Sequence, residues 1–199
     1  QWIVRKLENH GLTCAGDLPI VATNESASNP HYQAMADTAR VFQEGDRVLI
    51  ELWAKLDQPG AIFYDTTWCG YVGGKPNDSY ADRFSIVVSA RRKALEFVRN
   101  RFEQRVPVFG YEVDDVCRKV VTDAGYGEAF VHRTGHSIGE DVHGYGVHMD
   151  NLETRDDRMI LPGACFSIEP GIYIPNEMGV RSEINVFITP DRKVVVCGE

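Results

Sequence analysis

Residues 162–175 read PGACFSIEPGIYIP, a run of apolar and β-branched side chains that a Glu-Pro-Gly turn interrupts. The runs 179–189 (GVRSEINVFIT) and 128–135 (EAFVHRTG) repeat this pattern of short strands between Gly and Pro turns. The chain shows no regular alternation of strand and helix, which a parallel sheet would require. This stretch therefore predicts an α+β fold with a mainly antiparallel sheet.

The sequence upstream of this stretch predicts further strands and helices. Apolar runs rich in β-branched and aromatic residues predict strands at 19–23, 45–54 and 61–73, with a turn at 55–60. Apolar side chains at helical spacing predict helices at 1–10, 79–105 and 114–124, the last capped by Asp114 or Asp115 and ended by Gly125. A helix, a strand and a histidine-bearing loop occur at 1–31 and again at 114–136, which predicts two related halves.

Length and composition limit the classes of protein that fit. A chain of 199 residues suits a single domain, and a net charge of -8 without a long basic run argues against nucleic acid as a partner. No apolar run reaches the length of a membrane span. The five cysteines are scattered without a C-x-x-C pair, which indicates reduced thiols and a cytoplasmic location. Because the chain begins with a helix at Gln1 and lacks an initiator Met, we expect an excised fragment.

Four carboxylates interrupt strands that otherwise have the composition of a protein core: Glu51, Asp65, Glu169 and Glu183. Any one of them could simply face solvent, but buried charges are costly unless they are paired or bind a metal. Together with the imidazole of His136 they form a ligand set that suits a hard or borderline divalent ion such as Mn²⁺. Two such ions, roughly 3.5 to 4 Å apart, can share carboxylates and activate a water. The pattern predicts a hydrolytic centre.

Five motifs, in order, carry a resemblance to a known family: NPHY (29–32), YDTTW (64–68), HRTGHSIG (132–139), SIEPGIY (167–173) and GVRSE (179–183). They resemble the pita-bread metallopeptidases, which include aminopeptidase P, prolidase, methionine aminopeptidase and the related creatinase. The resemblance extends from Leu18 to Thr189 and is greatest for the branch that cleaves before proline. It implies a pita-bread catalytic domain over 1–199, with two pseudo-symmetric halves and a curved antiparallel sheet covered by helices.

The resemblance also implies roles for individual residues. The metal ligands that it implies are Asp65, His136, Glu169 and Glu183, with Glu169 also acting as general base. The residues that it places around the substrate are His31, His132, His143 and Arg181. The departure from the family pattern is Glu51, which stands where the family has its first Asp ligand, and the segment from Glu51 to Asp65 is longer than usual. Asp57, in the extra loop, is the other candidate for this ligand.

The implied activity is metal-dependent hydrolysis of the peptide bond before proline, as an Xaa-Pro aminopeptidase or dipeptidase. The resemblance implies two divalent metal ions, with Mn²⁺ first and Co²⁺, Fe²⁺ or Zn²⁺ as alternatives, and short peptides with proline at the second position as substrates. It also implies further N-terminal helices, an upstream domain and a homodimer for the full-length protein. Two alternatives stay open: a creatinase-like hydrolase of small C–N compounds, and a pita-bread binding module without activity.

Two further features of the sequence, His148 and the segment 144–158, have no role in the predicted site. His148 is expected at the surface. Residues 144–158 (GYGVHMDNLETRDDR) are dominated by charges, Asn and Gly, and we expect them to be the least ordered part of the chain.

Overall fold

The computed structural model describes residues 1–37 and 39–198. Within these residues the helices are α1 (Trp2–Glu8), α2 (Asp78–Glu103) and α3 (Gly110–Asp123). The strands are β1 (Leu12–Thr13), β2 (Ile20–Thr23), β3 (Arg47–Leu56), β4 (Tyr64–Tyr71), β5 (Cys165–Ile168), β6 (Gly171–Ile174), β7 (Met178–Arg181), β8 (Ile184–Ile188) and β9 (Val194–Cys197). Short 3₁₀ turns occupy Asn24–Ser28 and Gly127–Ala129. Every pairing between these strands is antiparallel, as the sequence predicts.

Strand β3 organises the first sheet, because β1, β2 and β4 all pair with it. Its register with β4 sets Glu51 opposite Thr67 and Trp53 opposite Asp65. Directly opposite residues of an antiparallel pair project to the same face, as do alternate residues of one strand. These four side chains therefore line one face of the sheet.

The second half of the chain forms a sheet of β5, β8 and β9 and a separate ribbon of β6 and β7. The interruption that the sequence predicts at the Glu-Pro-Gly turn of 162–175 is confirmed, whereas the run 179–189, which the sequence predicts as one strand, is divided into β7 and β8. Pro170 has no N–H for a ladder bond, and its carbonyl accepts the N–H of Ser182 (3.2 Å) across the gap. The breaks leave Glu169 and Glu183 just outside the strands.

Helices α2 and α3 pack together over the main hydrophobic core. The fully buried side chains of Val87, Val98 and Val113 on the helices share this core with Phe166 and Val186 of the sheet. Burial of such side chains stabilises the fold by about 1.5–3 kcal/mol each. None of the helices in the described part of the chain is both long and apolar enough to cross a bilayer.

The predicted start of α3 is wrong, because the helix begins at Gly110 and not at Asp114. The Glu112 carboxylate accepts the N–H of Phe109 (3.0 Å) and caps the first turn. The fully buried Asp114 instead accepts the N–H of Thr134 (2.8 Å). The predicted end is confirmed, since Gly125 adopts the left-handed conformation (φ 87°) just after the helix.

The predicted strand at 128–135 is also wrong in its position. The segment opens with the 3₁₀ turn Gly127–Ala129, and extended pairing to β5 begins only at Thr134. The carbonyl of Thr134 accepts the N–H of Glu169 (2.7 Å), and the carbonyl of His136 accepts the N–H of Ser167 (2.9 Å). These bonds hold the histidine motif against the strand that carries Glu169.

The loop at 144–158 has a defined backbone that two buried carboxylates fix. Asp150 accepts the N–H groups of Leu152 (2.9 Å) and Glu153 (3.0 Å), and Asp156 accepts the N–H of His148 (2.8 Å). Side-chain oxygens thus satisfy backbone donors that would otherwise need water.

Gly135 allows the histidine motif to lie directly on β5. A Cβ at this position would come within 2.0 Å of the carbonyl oxygen of Ser167. We expect Gly135→Ala to lower the free energy of unfolding by about 1–3 kcal/mol, because the backbone must shift to relieve the clash. Urea denaturation would measure this change. Gly74→Ala is the matched control, since a Cβ at Gly74 meets no atom within 4 Å; equal losses in both variants would contradict the close approach.

Candidate active site

An open cavity of about 410 Å³ lies between the first sheet and the histidine motif. Carboxylates and imidazoles form much of its lining: Asp17, His31, Glu51, Asp65, His132, His136, His143, Glu153 and Glu169. The carboxylates of Glu51, Asp65 and Glu169 and the ring of His136 are buried at its base. The structure therefore brings most of the predicted site residues to one place.

Each carboxylate enters the site from a different element. Glu51 lies within β3 and Asp65 within β4, on the face that the register assigns to both. Glu169 follows β5 directly, and Glu183 lies between β7 and β8. Asp57 is exposed in the turn after β3, so the structure places Glu51 and not Asp57 in this cluster.

Glu169 stands between two groups of possible ligand atoms. Its carboxylate lies with those of Glu51 and Glu183 so that one oxygen of each falls within 4.8 Å of the others. On its other side, Nε2 of His136 lies 3.2 Å from Oε1 of Glu169 and 3.5 Å from Oδ2 of Asp65. A carboxylate with both an imidazole and further carboxylates nearby is a suitable ligand for a divalent metal ion.

Two buried oxygens of the cluster show that the residues present fit a cation. Oδ1 of Asp65 and Oε1 of Glu183 are inaccessible to solvent and have no hydrogen-bond partner among the described residues. Burial raises the pKa of both carboxyls, that of Glu183 well above its ordinary value, and repulsion from Glu169 adds to the shift. Burial likewise raises the pKa of Glu51 to about 8. Positive charge at this point would stabilise the ionised forms of all three.

His136 has the orientation of a metal-ligating imidazole. Its Nδ1 lies 3.1 Å from the carbonyl oxygen of Ser137, to which it can donate, and Nε2 faces the carboxylates. Burial alone would lower its pKa, but hydrogen bonds to Asp65 and Glu169 raise it to about 10. Burial raises the pKa of the Glu169 carboxyl, and the hydrogen bond and charge of His136 outweigh this effect and hold it below its ordinary value.

Arg181 supplies the positive charge that the protein itself brings to the site. Its buried guanidinium pairs with Glu51 and donates to the hydroxyl of Thr67 (2.9 Å) and to that of Tyr173 (3.0 Å). The Thr67 hydroxyl in turn donates to Oε2 of Glu183 (2.7 Å). The Arg181 guanidinium therefore orients Glu51 directly and Glu183 through Thr67.

His132 has both ring nitrogens bonded within the protein. Because the Tyr173 hydroxyl accepts from Arg181, it can donate to Nε2 of His132 (2.8 Å), and Nδ1 then donates to the carbonyl of Arg133 (2.7 Å). Burial lowers the pKa of His132 to about 4, in agreement with a neutral ring. The predicted contact between His132 and a substrate stays a prediction.

The other histidines of the motif differ in position. The His143 ring lies edge-on to that of His136, with 4.3 Å between centroids, while the exposed His31 lines the cavity from the first half of the chain. His148 is not the surface residue that the sequence predicts. It is half-buried, and its Nδ1 accepts the N–H of Ser137 (3.1 Å), which supports the motif from behind.

Three hydroxyl groups and one amide for which the sequence predicts no role complete the site: Thr67, Ser167, Tyr173 and Asn185. Ser167 donates to Oε1 of Glu169 (2.8 Å), and the Asn185 amide bonds both backbone groups of Asp65. Strand alternation could have indicated Thr67 and Ser167, because Thr67 is two residues from Asp65 and Ser167 two from Glu169.

An antiparallel fold that buries four carboxylates and an imidazole beside an open cavity is an arrangement typical of metal-dependent hydrolases. The profile of metallopeptidase family M24 matches residues 1–190, and the chain belongs to this family.

Individual relatives agree with this assignment. The chain is 34% identical over 172 residues to an Xaa-Pro dipeptidase from Lactobacillus helveticus, a match that covers 86% of this chain and 42% of the relative. The crystal structure of dipeptidase PepE from Mycobacterium ulcerans is similar with a TM-score of 0.76 and 32% identity, over 90% of this chain and 44% of that one. A prolidase from Thermococcus sibiricus gives a TM-score of 0.79 and 28% identity, over 98% and 48%. The predicted pita-bread fold is confirmed, and the chain spans about half the length of these relatives.

His136 and His143, whose rings lie 4.3 Å apart, should respond differently to replacement. We expect His136→Ala to lose bound metal together with activity, because its Nε2 faces the carboxylates directly. His143→Ala should keep its metal and lose turnover, since its ring lines the cavity beside that of His136, where a substrate would bind. Elemental analysis of both purified variants would measure the metal content. Unchanged metal in His136→Ala would contradict the ligand assignment.

Glu51 should hold the more weakly bound of two ions, because it must share its carboxylate with Arg181. Titration of metal-free protein with Mn²⁺ should show two unequal affinities, and Glu51→Gln should remove the weaker one. Asp57→Asn is the matched control and should leave both affinities unchanged. Anomalous scattering from Mn²⁺-soaked crystals would locate the ions, and a shell with Asp57 in place of Glu51 would overturn the assignment.

Proposed function

We propose that this protein is a metal-dependent peptidase that hydrolyses the peptide bond before proline, as an Xaa-Pro dipeptidase or aminopeptidase. The observation that carries the proposal is the Glu169 carboxylate, which lies between the Glu51–Glu183 pair and the His136–Asp65 pair at the base of an open cavity. Membership of family M24 and relatives named Xaa-Pro dipeptidase and prolidase support the choice of substrate.

Two divalent ions, with Mn²⁺ as the first candidate, are part of the proposal. The residues that would hold them are Glu51, Asp65, His136, Glu169 and Glu183. Carboxylate oxygens with one imidazole suit Mn²⁺ better than they suit the softer ions that prefer thiolate ligands. When bound, such ions lower the pKa of a water and polarise the scissile carbonyl.

Glu169 is the residue that would take the proton from the attacking water. Its carboxyl has a depressed pKa, because His136 and Arg181 favour the ionised form against the effect of burial, so it is available as a base. Ser167 donates to its Oε1 (2.8 Å) and fixes its orientation. The protonated form can then deliver the proton to the leaving nitrogen, and a positioned base of this kind contributes about 10²- to 10⁴-fold in rate.

Arg181 would balance negative charge in the site, and His143 and His31 would position the substrate. Arg181 balances part of the negative charge of the cluster and keeps Glu51 and, through Thr67, Glu183 in place. His143 and His31 line the cavity above the base and can donate hydrogen bonds to a substrate carbonyl. His143 has a pKa lowered to about 4 by partial burial and by the His136 charge, so it would do so as a neutral ring.

The location and assembly of the protein belong to the same proposal. All five cysteines are free, which supports a reducing compartment and hence the cytoplasm. The homodimer that the resemblance implies can be tested by sedimentation of the purified protein.

The proposed activity predicts release of the first residue from peptides with proline at the second position. Ala-Pro and Ala-Pro-containing peptides should be cleaved in the presence of Mn²⁺, and a chelator should abolish cleavage because the carboxylate cluster cannot act without its ions. Liquid chromatography of the products would measure the rates, with Ala-Ala as the matched substrate. Equal rates on the proline and alanine peptides would remove the preference for proline. Full activity in metal-free protein would favour a creatinase-like mechanism instead.

A further inference from the structure

His148 is the histidine near the motif to which the proposed site gives no role. It lines a second cavity, of about 310 Å³, whose other lining residues come mainly from the segment 150–158. Its ring is half-buried, and its Nδ1 accepts the N–H of Ser137 (3.1 Å). Because His148 lines this second cavity and not the active-site cavity, it can act on the site only through Ser137.

The bond from Ser137 to His148 takes the place of a backbone bond between paired segments. Residues 134–137 pair with β5 along one edge and meet Met149 along the other, where Gly135 and Met149 exchange both backbone bonds (3.2 and 2.9 Å). Ser137 is two residues beyond Gly135, so its N–H points to the same edge as that of Gly135. At this edge the Ser137 N–H meets the His148 imidazole in place of a backbone carbonyl.

The Ser137 N–H belongs to the peptide unit that directly follows His136, and both polar groups of this unit are bonded. The C=O of the unit accepts the N–H of Ser167 (2.9 Å), and its N–H donates to His148. The next carbonyl, that of Ser137, accepts the N–H of Gly144 (2.7 Å) and lies 3.1 Å from Nδ1 of His136. A peptide plane that is bonded on both edges has little freedom to rotate. His148 therefore helps to fix the carbonyl that orients the His136 ring.

His148 is itself held in place and in its neutral form. Its own N–H donates to Asp156 (2.8 Å), whose carboxylate also pairs with Arg158. Burial and the charges of Arg133 and Arg158 lower the pKa of His148. A neutral ring can accept at Nδ1, whereas a protonated ring would present a second donor to the Ser137 N–H.

We propose that His148 is a positioning residue that holds His136 in the orientation in which it binds metal. This inference rests on the proposed function, because it assumes the metal centre, and it adds a residue from outside the cavity. With Nδ1 of His136 donating to Ser137, Nε2 faces Glu169 (3.2 Å) and Asp65 (3.5 Å) as the ligand atom. Groups that orient a metal-binding histidine contribute about 10- to 100-fold to metal affinity.

The test is the Mn²⁺ affinity of the metal-free protein, measured by calorimetric titration in three variants at position 148. His148→Asn keeps an acceptor oxygen near the position of Nδ1, so its tighter Mn²⁺ affinity should stay close to that of the unmodified protein. His148→Gln places its acceptor further from the backbone and His148→Leu has none, so both should weaken this affinity by about 10- to 100-fold. His10→Leu replaces an exposed histidine next to α1 and is the control, which should bind Mn²⁺ unchanged.

A purely structural role for His148 would give a different pattern. The Gln and Leu variants would then lower the free energy of unfolding, measured by urea denaturation, while the Mn²⁺ affinity of the folded variants stayed unchanged. That result would overturn the proposal. Equal weakening in His148→Asn and His148→Gln would also overturn it, because the position of the acceptor would then have no effect. If His148→Leu does not fold, the comparison of Asn with Gln decides the question alone.

The proposal can fail separately from the proposed function. Equal Mn²⁺ affinity in all variants, together with cleavage of Ala-Pro, would overturn the role of His148 and leave the peptidase intact. Mn²⁺ affinity that follows the acceptor position, in a protein that does not cleave Ala-Pro, would support the role of His148 and remove the peptidase. Absence of Mn²⁺ binding by the unmodified protein would overturn both.

Discussion

The buried ion pair between Arg181 and Glu51 is the interaction on which the rest of the site depends. A charged guanidinium that is only 3% exposed is tolerable because its bonds to Glu51, Thr67 and Tyr173 replace the water that it loses. These partners lie on three different strands, so the pair also fixes how the first sheet meets the β6–β7 ribbon. Removal of either partner would leave an uncompensated charge in the interior, which typically destabilises a protein by about 3–5 kcal/mol.

The interruptions in the second half of the chain are what bring its carboxylates into the site. A residue within a regular strand has its backbone groups in the ladder and its side chain in strict alternation. Because Pro170 and Ser182 break the pairing, Glu169 and Glu183 lie between strands and are free of that alternation. The first half uses the opposite arrangement, in which Glu51 and Asp65 remain inside paired strands and rely on register alone. The paired strands of the first half and the interrupted strands of the second half thus place their carboxylates at one cavity.

The sequence predicts the fold class, most elements and the members of the carboxylate cluster, because charges inside apolar strands are conspicuous. It predicts the break at Pro170 from the Glu-Pro-Gly turn, but it predicts neither the break at Ser182, because residues 179–189 have the composition of one continuous strand, nor the start of α3. Asp114 has a side chain suited to capping a helix. Its carboxylate instead accepts the N–H of Thr134, which lies 20 residues further along the chain. The same limit explains Tyr173, whose hydroxyl acquires a role only where His132 and Arg181 meet it. The start of α3 and the role of Tyr173 depend on tertiary contacts, which a single sequence does not reveal.

The bonds that join the two halves of the chain span long stretches of sequence. Asn185 bonds Asp65 across 120 residues, and Arg181 meets Glu51 across 130. Closing loops of this length costs conformational entropy that no local turn recovers, and neither half by itself contains all the carboxylates. An ion bound between Asp65 and Glu183 would therefore act as a removable cross-link: its binding free energy would add directly to the free energy that keeps the halves together.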